Sequence, residues 1–228
     1  HIVFQKQKIQ KTQNTENTRK YRKYRKYRKY RKYRKQKIQK ILYAEHITNF
    51  IRAVIVGSKR THDGKDQSHV HSALTELNLN SNEIGDEGAD AIAGALGVNS
   101  ALKSLNLMNN MVGAKGATAI AGALLANSVL TQLVLADNNL GPEGARHISE
   151  GLKINTTITA LDISNGGDIK SEGAGYVAKM LAVNSVLTSL YLDHNAIGAE
   201  GAKSISEALK VNSVLTSIDV GYNDLNEE

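Results

Sequence analysis

The residues best suited to chemistry lie near the C-terminal end of the chain. Asp193 and His194 are adjacent, and a carboxylate beside an imidazole can serve general acid/base catalysis. Tyr191 lies two residues before Asp193, whereas Asp219 and Tyr222 follow further along the chain. Aromatic rings in a polar surround are typical of protein-binding hot spots, and carboxylates favour a basic partner. These residue types leave two kinds of site open, catalytic and partner-binding.

The parts that a catalytic or metal site would also need are missing from the sequence. No serine or cysteine nucleophile motif accompanies the Asp–His pair, and the chain of 228 residues contains no cysteine. Two aspartates and one histidine on an open surface would not close a coordination shell around a metal ion. We therefore predict no catalytic residue, no metal, no cofactor and no small-molecule substrate.

Residues 19–35 form a basic tract of Arg-Lys-Tyr triplets. Basic groups neutralise phosphates and tyrosine rings stack on bases, so this tract could bind nucleic acid or an anionic membrane. A period of three gives neither a helix nor a strand a single apolar face, and the charge density favours disorder. The hexapeptide KQKIQK brackets the triplets at 6–11 and 35–40, which indicates repeat expansion in the gene. We predict a disordered low-complexity tail over 1–40, either functionless, bound to such a polyanion, or a nuclear import signal.

Charge divides the chain into two opposite parts. Residues 1–71 contain 21 basic against 4 acidic residues, a net charge of +17, whereas 72–228 contain 8 against 18, a net charge of −10. Residues 41–71 begin with apolar side chains at helical spacing and continue as a polar stretch, so we predict a capping helix and a linker there. The lack of cysteine and of a signal-peptide core favours a cytoplasmic protein, with the nucleus as the alternative.

From residue 72 the sequence repeats with a period of 28 residues. Five full units span 72–99, 100–127, 128–155, 156–184 (with one extra residue) and 185–212, and a partial unit spans 213–228. Apolar residues at unit positions 6 and 8 alternate with polar neighbours, as in a short strand, whereas those at positions 18, 21 and 25 share one helical face. Such a period indicates a solenoid in which neighbouring units share one core.

Position 11 of the units carries an asparagine that we predict to form a ladder from coil to coil. An asparagine there can turn the chain out of the strand and satisfy neighbouring backbone groups with its amide. The ladder residues are Asn82, Asn110, Asn138, Asn195 and Asn223. The fourth unit has Gly166 and Gly167 at this place and Lys170 in place of the usual glycine of position 14. We expect an irregular loop there, with a loop adapted for a contact as the alternative.

The segments LTELNLNSNEIGDEGADAIAGAL and LTSLYLDHNAIGAEGAKSISEAL resemble leucine-rich repeats of the ribonuclease-inhibitor class, as in NOD-like receptor C-terminal regions and the Ran GTPase activator. The resemblance implies an α/β horseshoe-shaped solenoid over 72–228, with parallel strands on the concave face and helices on the convex face. It implies two functions: the regulatory or sensing part of an NOD-like receptor type protein, or GTPase activation of the Ran activator type. No residue of this sequence can be assigned to the second.

The polar positions between the strand leucines would form the concave face. Its first half is rich in amides, whereas its second half collects aromatic and acidic side chains. The candidate partner-binding residues are Asp137, Asp162, Tyr191, Asp193, His194, Asp219 and Tyr222. Because neighbouring strands lie about 4.8 Å apart, we predict that those of the second half lie side by side and bind a protein partner of basic character. The alternative is that these side chains only solvate the sheet.

Both ends of the sequence have the character of a fragment. The chain begins at His1 rather than at a methionine, and the sixth unit ends after its strand. We therefore expect truncation at both ends, or packing of Ile218, Val220 and Leu225 against another chain.

Overall fold

The structure is a computed structural model that describes residues 74–225 without a gap. Outside that range it describes Lys26, Asn49, Lys59–Arg60 and Asp66–Gln67. The chain divides into two compact units, His1–Glu45 and His46–Glu228. Within the second unit, Lys59–Arg60 pairs antiparallel with Asp66–Gln67. Apart from these residues, the tail predicted at 1–40 and the helix and linker predicted at 41–71 lie outside the described residues.

Six short parallel strands form one sheet, with one strand from each repeat. They are Glu76–Asn78 (β1), Ser104–Asn106 (β2), Gln132–Val134 (β3), Ala160–Asp162 (β4), Ser189–Tyr191 (β5) and Ser217–Asp219 (β6). The strands follow one another in chain order, so Leu77 is opposite Leu105 and Leu105 is opposite Leu133. The pairing of Leu161 with Leu190 takes up the extra residue of the fourth repeat.

A helix follows each of the first five strands. The helices are Gly85–Leu96 (α1), Ala114–Ala126 (α2), Gly141–Leu152 (α3), Lys170–Leu181 (α4) and Gly198–Leu209 (α5), and each packs on its neighbour. A glycine on the buried side of each helix permits this close packing. A Cβ on Gly116, for example, would lie 2.9 Å from the Cβ of Ala89 on α1. The α/β repeat solenoid predicted from the sequence is confirmed.

Leucine and isoleucine side chains fill the space between the sheet and the helices. Leu105, Leu133 and Leu190 of the strands and Ile92 and Ile120 of the helices are fully buried. Ile218 and Val220 in the sixth repeat are only partly buried. Leu77 and Leu79 in the first repeat are partly buried as well, so the core is continuous from repeat to repeat and is least protected at the two end strands, β1 and β6.

Asparagine side chains join the repeats in two rows. In the first, at position 11, Asn110 Nδ2 donates to the carbonyl of Leu79 in the preceding repeat (2.8 Å), and its Oδ1 accepts from the N–H of Asn82 (2.8 Å). Asn138, Asn195 and Asn223 make equivalent bonds. The predicted ladder residues thus lie one above another and bridge adjacent coils.

A second row, to which the sequence analysis assigned no role, lies at position 28. Asn127 Nδ2 donates to the carbonyl of Leu96 at the end of α1 (2.8 Å), and its Oδ1 accepts from the N–H groups of Val129 (3.0 Å) and Leu130 (2.8 Å). Asn155, Asn184 and Asn212 repeat this arrangement. The last carbonyls of a helix have no partner within that helix, so these amides cap the helices. The same side chains also bond the backbone that leads into the next strand.

The extra residue makes the loop of the fourth repeat irregular. Gly167 and Asp168 have φ of +76° and +55° in succession, whereas the same stretch of the fifth repeat has one such residue, Ala196, at +51°. A Cβ on Gly167 would lie 3.1 Å from the Cα of Asn139, so the loop packs on the preceding coil. Gly166 has no side-chain amide, but its N–H still donates to Asn195 Oδ1 (2.9 Å). The backbone part of the ladder therefore continues across this repeat.

Candidate protein-binding surface

Side chains at position 7 form a row across the sheet face opposite the helices. The register pairs Asp162 with Tyr191 and Tyr191 with Asp219. Tyr191 therefore lies between two aspartates on neighbouring strands, each about 4.8 Å away at the backbone. Strand alternation turns Leu190 and Leu192 into the core, where both are 0% exposed, and leaves Tyr191 41% exposed. Strand alternation alone is therefore enough to turn the Tyr191 ring away from the core.

A local hydrogen bond orients both aspartates. Asp162 Oδ1 accepts from the N–H and the hydroxyl of Ser164 (3.0 and 2.6 Å), and Asp219 Oδ1 accepts from the N–H of Gly221 (2.9 Å). Asn78 and Asn106 make the same bond at position 7 of the first two repeats. The second carboxylate oxygen, Oδ2, of Asp162 and of Asp219 has no hydrogen bond within the described residues. Each carboxylate is thus held in place with one oxygen available to a partner.

His194 and Tyr222 form an aromatic pair at position 10, just beyond the strands. Their rings stack with centroids 4.3 Å apart, and the N–H of His194 donates to the carbonyl of Gly221 (3.1 Å). His194 Nδ1 lies 3.1 Å from Asp193 Oδ2. Both His194 and Tyr222 have positive φ, and Tyr222 is 82% exposed. The stack therefore presents a broad aromatic surface to solvent.

The structure brings six of the seven predicted partner-binding residues onto the fourth to sixth repeats. We refer to Asp162, Tyr191, Asp193, His194, Asp219 and Tyr222 as the acidic–aromatic surface. Asp137 lies apart from them on the third repeat, where its Oδ1 accepts a hydrogen bond from Asn165 Nδ2 (2.6 Å). Asp137 is therefore already engaged by a neighbouring side chain.

One group of charged side chains on the helix side is paired internally, in contrast to Asp162 and Asp219. Arg146 Nη2 on α3 lies 2.7 Å from Glu143 Oε2, and Nη1 lies 3.3 Å from Glu150 Oε1. The hydrogen bond from Arg146 lowers the pKa of Glu143 and raises the pKa of Arg146 from their ordinary values. No Lys or Arg of the described residues forms an ion pair with Asp162 or Asp219. Within the described part of the chain, the negative charge of Asp162 and Asp219 is therefore not compensated by a basic side chain.

The part of the chain that the structure describes also bears on metal binding and on membrane insertion. It contains no group of three or more His, Asp or Glu residues that could hold a metal ion. Among its helices, none has the length and apolar character needed to cross a bilayer. The Asp193–His194 pair lies on an open surface, with side chains 29% and 51% exposed.

Comparisons with known proteins agree with the fold. A family model described as Leucine Rich repeat matches residues 71–93, 98–121, 126–149, 155–178 and 183–206, together more than half of the chain. These comparisons confirm the repeats themselves, whereas the ribonuclease-inhibitor class and the likeness to NOD-like receptors or the Ran activator stay predictions. No curated protein sequence matches the chain.

Two solved structures show the same architecture. One, titled "Leiomodin-1 Actin-Binding Site 2 (ABS2)", is 28% identical with a TM-score of 0.50, over 60% of this chain and 80% of that chain. The other, a tropomodulin C-terminal domain from Caenorhabditis elegans, is 16% identical with a TM-score of 0.55, over 74% of this chain and 92% of that chain. The second likeness shows the fold alone.

Proposed function

We propose that this chain, which belongs to the leucine-rich-repeat proteins, is a non-enzymatic scaffold that binds a protein partner through the acidic–aromatic surface. The repeats and the likeness to a structure titled as an actin-binding site support a protein-interaction role. The observation that carries the proposal is the exposed Tyr191 ring between two fixed carboxylates that pair with no Lys or Arg of the described residues. Exposed aromatic side chains with a polar rim are the composition of binding hot spots.

Affinity capture with the full chain tests this proposal. We expect a partner that is retained by the native protein and lost by the Tyr191→Val, Tyr222→Asn double variant. Val134 occupies the same position as Tyr191 in the third repeat, and Asn109 and Asn165 occupy that of Tyr222, so both substitutions suit the fold. Tyr176→Leu is the matched control because it removes a tyrosine from the helix side, where Lys179 lies 5.4 Å from the ring centroid. If the double variant retains the partner as well as the native protein does, the proposal is refuted.

Actin is a specific candidate for the partner. The observation that favours it is the 28% identity to a structure whose title names an actin-binding site. Co-sedimentation with filamentous actin and gel filtration with monomeric actin test the candidate. We expect one of the two forms to bind the native protein more tightly than the double variant. Failure of both forms to bind would exclude actin while leaving the scaffold proposal in place.

Two other roles rest on the resemblance of the repeats alone. One is the regulatory part of an NOD-like receptor type protein, and the other is GTPase activation of the Ran activator type. The second has a direct test, since an activator raises the rate of GTP hydrolysis by a small GTPase. No stimulation across a panel of small GTPases would remove it.

The remaining proposals concern location and the basic tract. We propose a cytoplasmic protein, with the nucleus as the alternative, and polyanion binding by residues 19–35. Because such binding releases counterions from phosphates, affinity for nucleic acid should fall steeply with salt. Binding that persists at high salt, or after deletion of residues 1–40, would contradict this role for the tract.

A further inference from the structure

We propose that the acidic–aromatic surface recognises arginine in its partner rather than basic charge in general. The guanidinium of a partner arginine would stack on the Tyr191 ring and donate hydrogen bonds to Asp162 and Asp219. This inference rests on the proposed function, because it names the chemistry of the partner at that same surface.

The register of the strands supports recognition by two carboxylates at once. Asp162 and Asp219 lie on either side of Tyr191, two strand spacings or about 10 Å apart at the backbone. A guanidinium carries five N–H donors in a planar fork, so it can donate toward both sides, whereas an ammonium is a compact point charge. A guanidinium centred over Tyr191 can therefore donate hydrogen bonds to both carboxylates better than an ammonium can.

The two carboxylates are prepared for such a ligand. Their Oδ1 atoms are fixed by bonds to the Ser164 and Gly221 N–H groups, so little side-chain freedom is lost on binding. Their Oδ2 atoms have no hydrogen bond within the described residues, and no Lys or Arg there pairs with them. Charge complementarity thus favours a cation, because no basic side chain between residues 74 and 225 compensates the two aspartates.

Tyr191 provides the stacking surface that separates arginine from lysine. Its ring is 41% exposed, and among the described residues it stacks on no other ring and has no cation above it. The ring of Tyr222, by contrast, is already stacked on His194. Arginine stacks on aromatic faces through its planar guanidinium more readily than lysine does through its ammonium. Tyr191 is therefore the ring that a partner arginine would cover.

Fluorescence anisotropy with the full chain tests the inference. The probes are a labelled peptide of Gly-Arg-Ser repeats and a matched peptide of Gly-Lys-Ser repeats. We expect the arginine peptide to bind about threefold to tenfold more tightly, and Tyr191→Val to abolish this preference. Asp219→Asn should weaken arginine binding, whereas Asp137→Asn, which changes the net charge equally, should not. Asn is native at position 7 in Asn78 and Asn106, so Asp219→Asn keeps the local hydrogen bond.

The outcomes separate this inference from the proposed function. Equal affinity of the two peptides, or a preference that survives Tyr191→Val, overturns the arginine inference. If Tyr191→Val nevertheless abolishes partner capture in the same preparations, the proposed function stands. If the arginine preference survives Tyr191→Val and the Tyr191→Val, Tyr222→Asn double variant still captures the partner as the native protein does, both proposals fall.

Discussion

His194 stacks on Tyr222 of the next repeat, with ring centroids 4.3 Å apart and ring planes at 21°. The two side chains stand at the same position of adjacent repeats, and the backbone bond from His194 N–H to the Gly221 carbonyl fixes their separation. The repeat period thus brings together two aromatic residues that are 28 residues apart in the sequence. Because both are exposed, their stacking adds little to the stability of the core, and we expect its main effect on binding.

Tyr222→Asn should weaken partner binding while leaving the fold intact. Asn109 and Asn165 take the same positive φ at this position, so the variant fits the backbone. We expect the free energy of unfolding to change by less than about 0.5 kcal/mol, as for surface sites generally. Binding of the captured partner should weaken by about 1 kcal/mol or more, as for hot-spot tyrosines. Urea unfolding and a titration of the partner measure the two effects, and unchanged affinity would place Tyr222 outside the interface.

Asn110→Ala should destabilise the protein strongly. Asn110 is fully buried, and its side chain bonds the Leu79 and Met108 carbonyls and the Asn82 N–H. Alanine would leave these partly buried groups without their partners, and each unpaired group costs about 1–3 kcal/mol when buried. We expect a loss of at least about 3 kcal/mol, measured by urea unfolding.

The matched control for Asn110→Ala is Asn80→Ala. Asn80 is exposed, and its Oδ1 accepts only from the Ser81 hydroxyl (2.9 Å). Its loss should change the free energy of unfolding by less than about 0.5 kcal/mol. Similar effects of the two substitutions would show that the asparagine row does not hold the repeats together.

The fold could be predicted from the sequence because the same residue pattern recurs from repeat to repeat. An apolar pair such as Leu105 and Leu107, followed by an asparagine and then by a helical face, leaves one arrangement in which all units share a core. Bonds that join two units were harder to see. Asp86 of α1, for example, accepts from the N–H groups of Gly113 and Gly116 and so caps α2 of the next repeat. Nothing in the spacing of a single unit indicates such a contact.

The candidate site could be predicted only as a list of residues on one face. Strand alternation and the repeat period place Tyr191 between Asp162 and Asp219, as the structure has it. The division of the face into a fixed carboxylate pair and an aromatic stack depends on side-chain bonds, which the period does not specify. The sequence nevertheless contained an indication of the fixed carboxylates. Position 7 is Asn or Asp in four of the six repeats, namely Asn78, Asn106, Asp162 and Asp219.

Gly116→Ala and Gly122→Ala, both in α2, should have opposite effects. A Cβ on Gly116 would lie 2.7 Å from Val112 Cγ1 and 2.9 Å from the Cβ of Ala89, whereas a Cβ on Gly122 meets nothing within 4 Å. Overpacking should cost about 1–3 kcal/mol at position 116. At position 122 the higher helix propensity of alanine should add about 0.5–1 kcal/mol to stability. Urea midpoints measure both changes, and a stabilising Gly116→Ala would show that α1 and α2 pack less closely than described.

Lys170→Gly should stabilise the protein, and Gly198→Lys should destabilise it. Lys170 has a φ of +60° at the place where Gly198 has +64°, and each is the first residue of its helix. A side chain in the left-handed region costs about 1–2 kcal/mol, and a positive charge at a helix N-terminus opposes the helix dipole. Part of the gain from glycine is offset by its greater freedom in the unfolded chain, so we expect shifts of about 1 kcal/mol in each direction. Because a Cβ on Gly198 would meet nothing within 4 Å, Gly198→Lys isolates backbone strain and helix-dipole effects from packing. The urea midpoints of the two variants should therefore move oppositely, and a lower midpoint for Lys170→Gly would show that the lysine side chain makes a compensating contact.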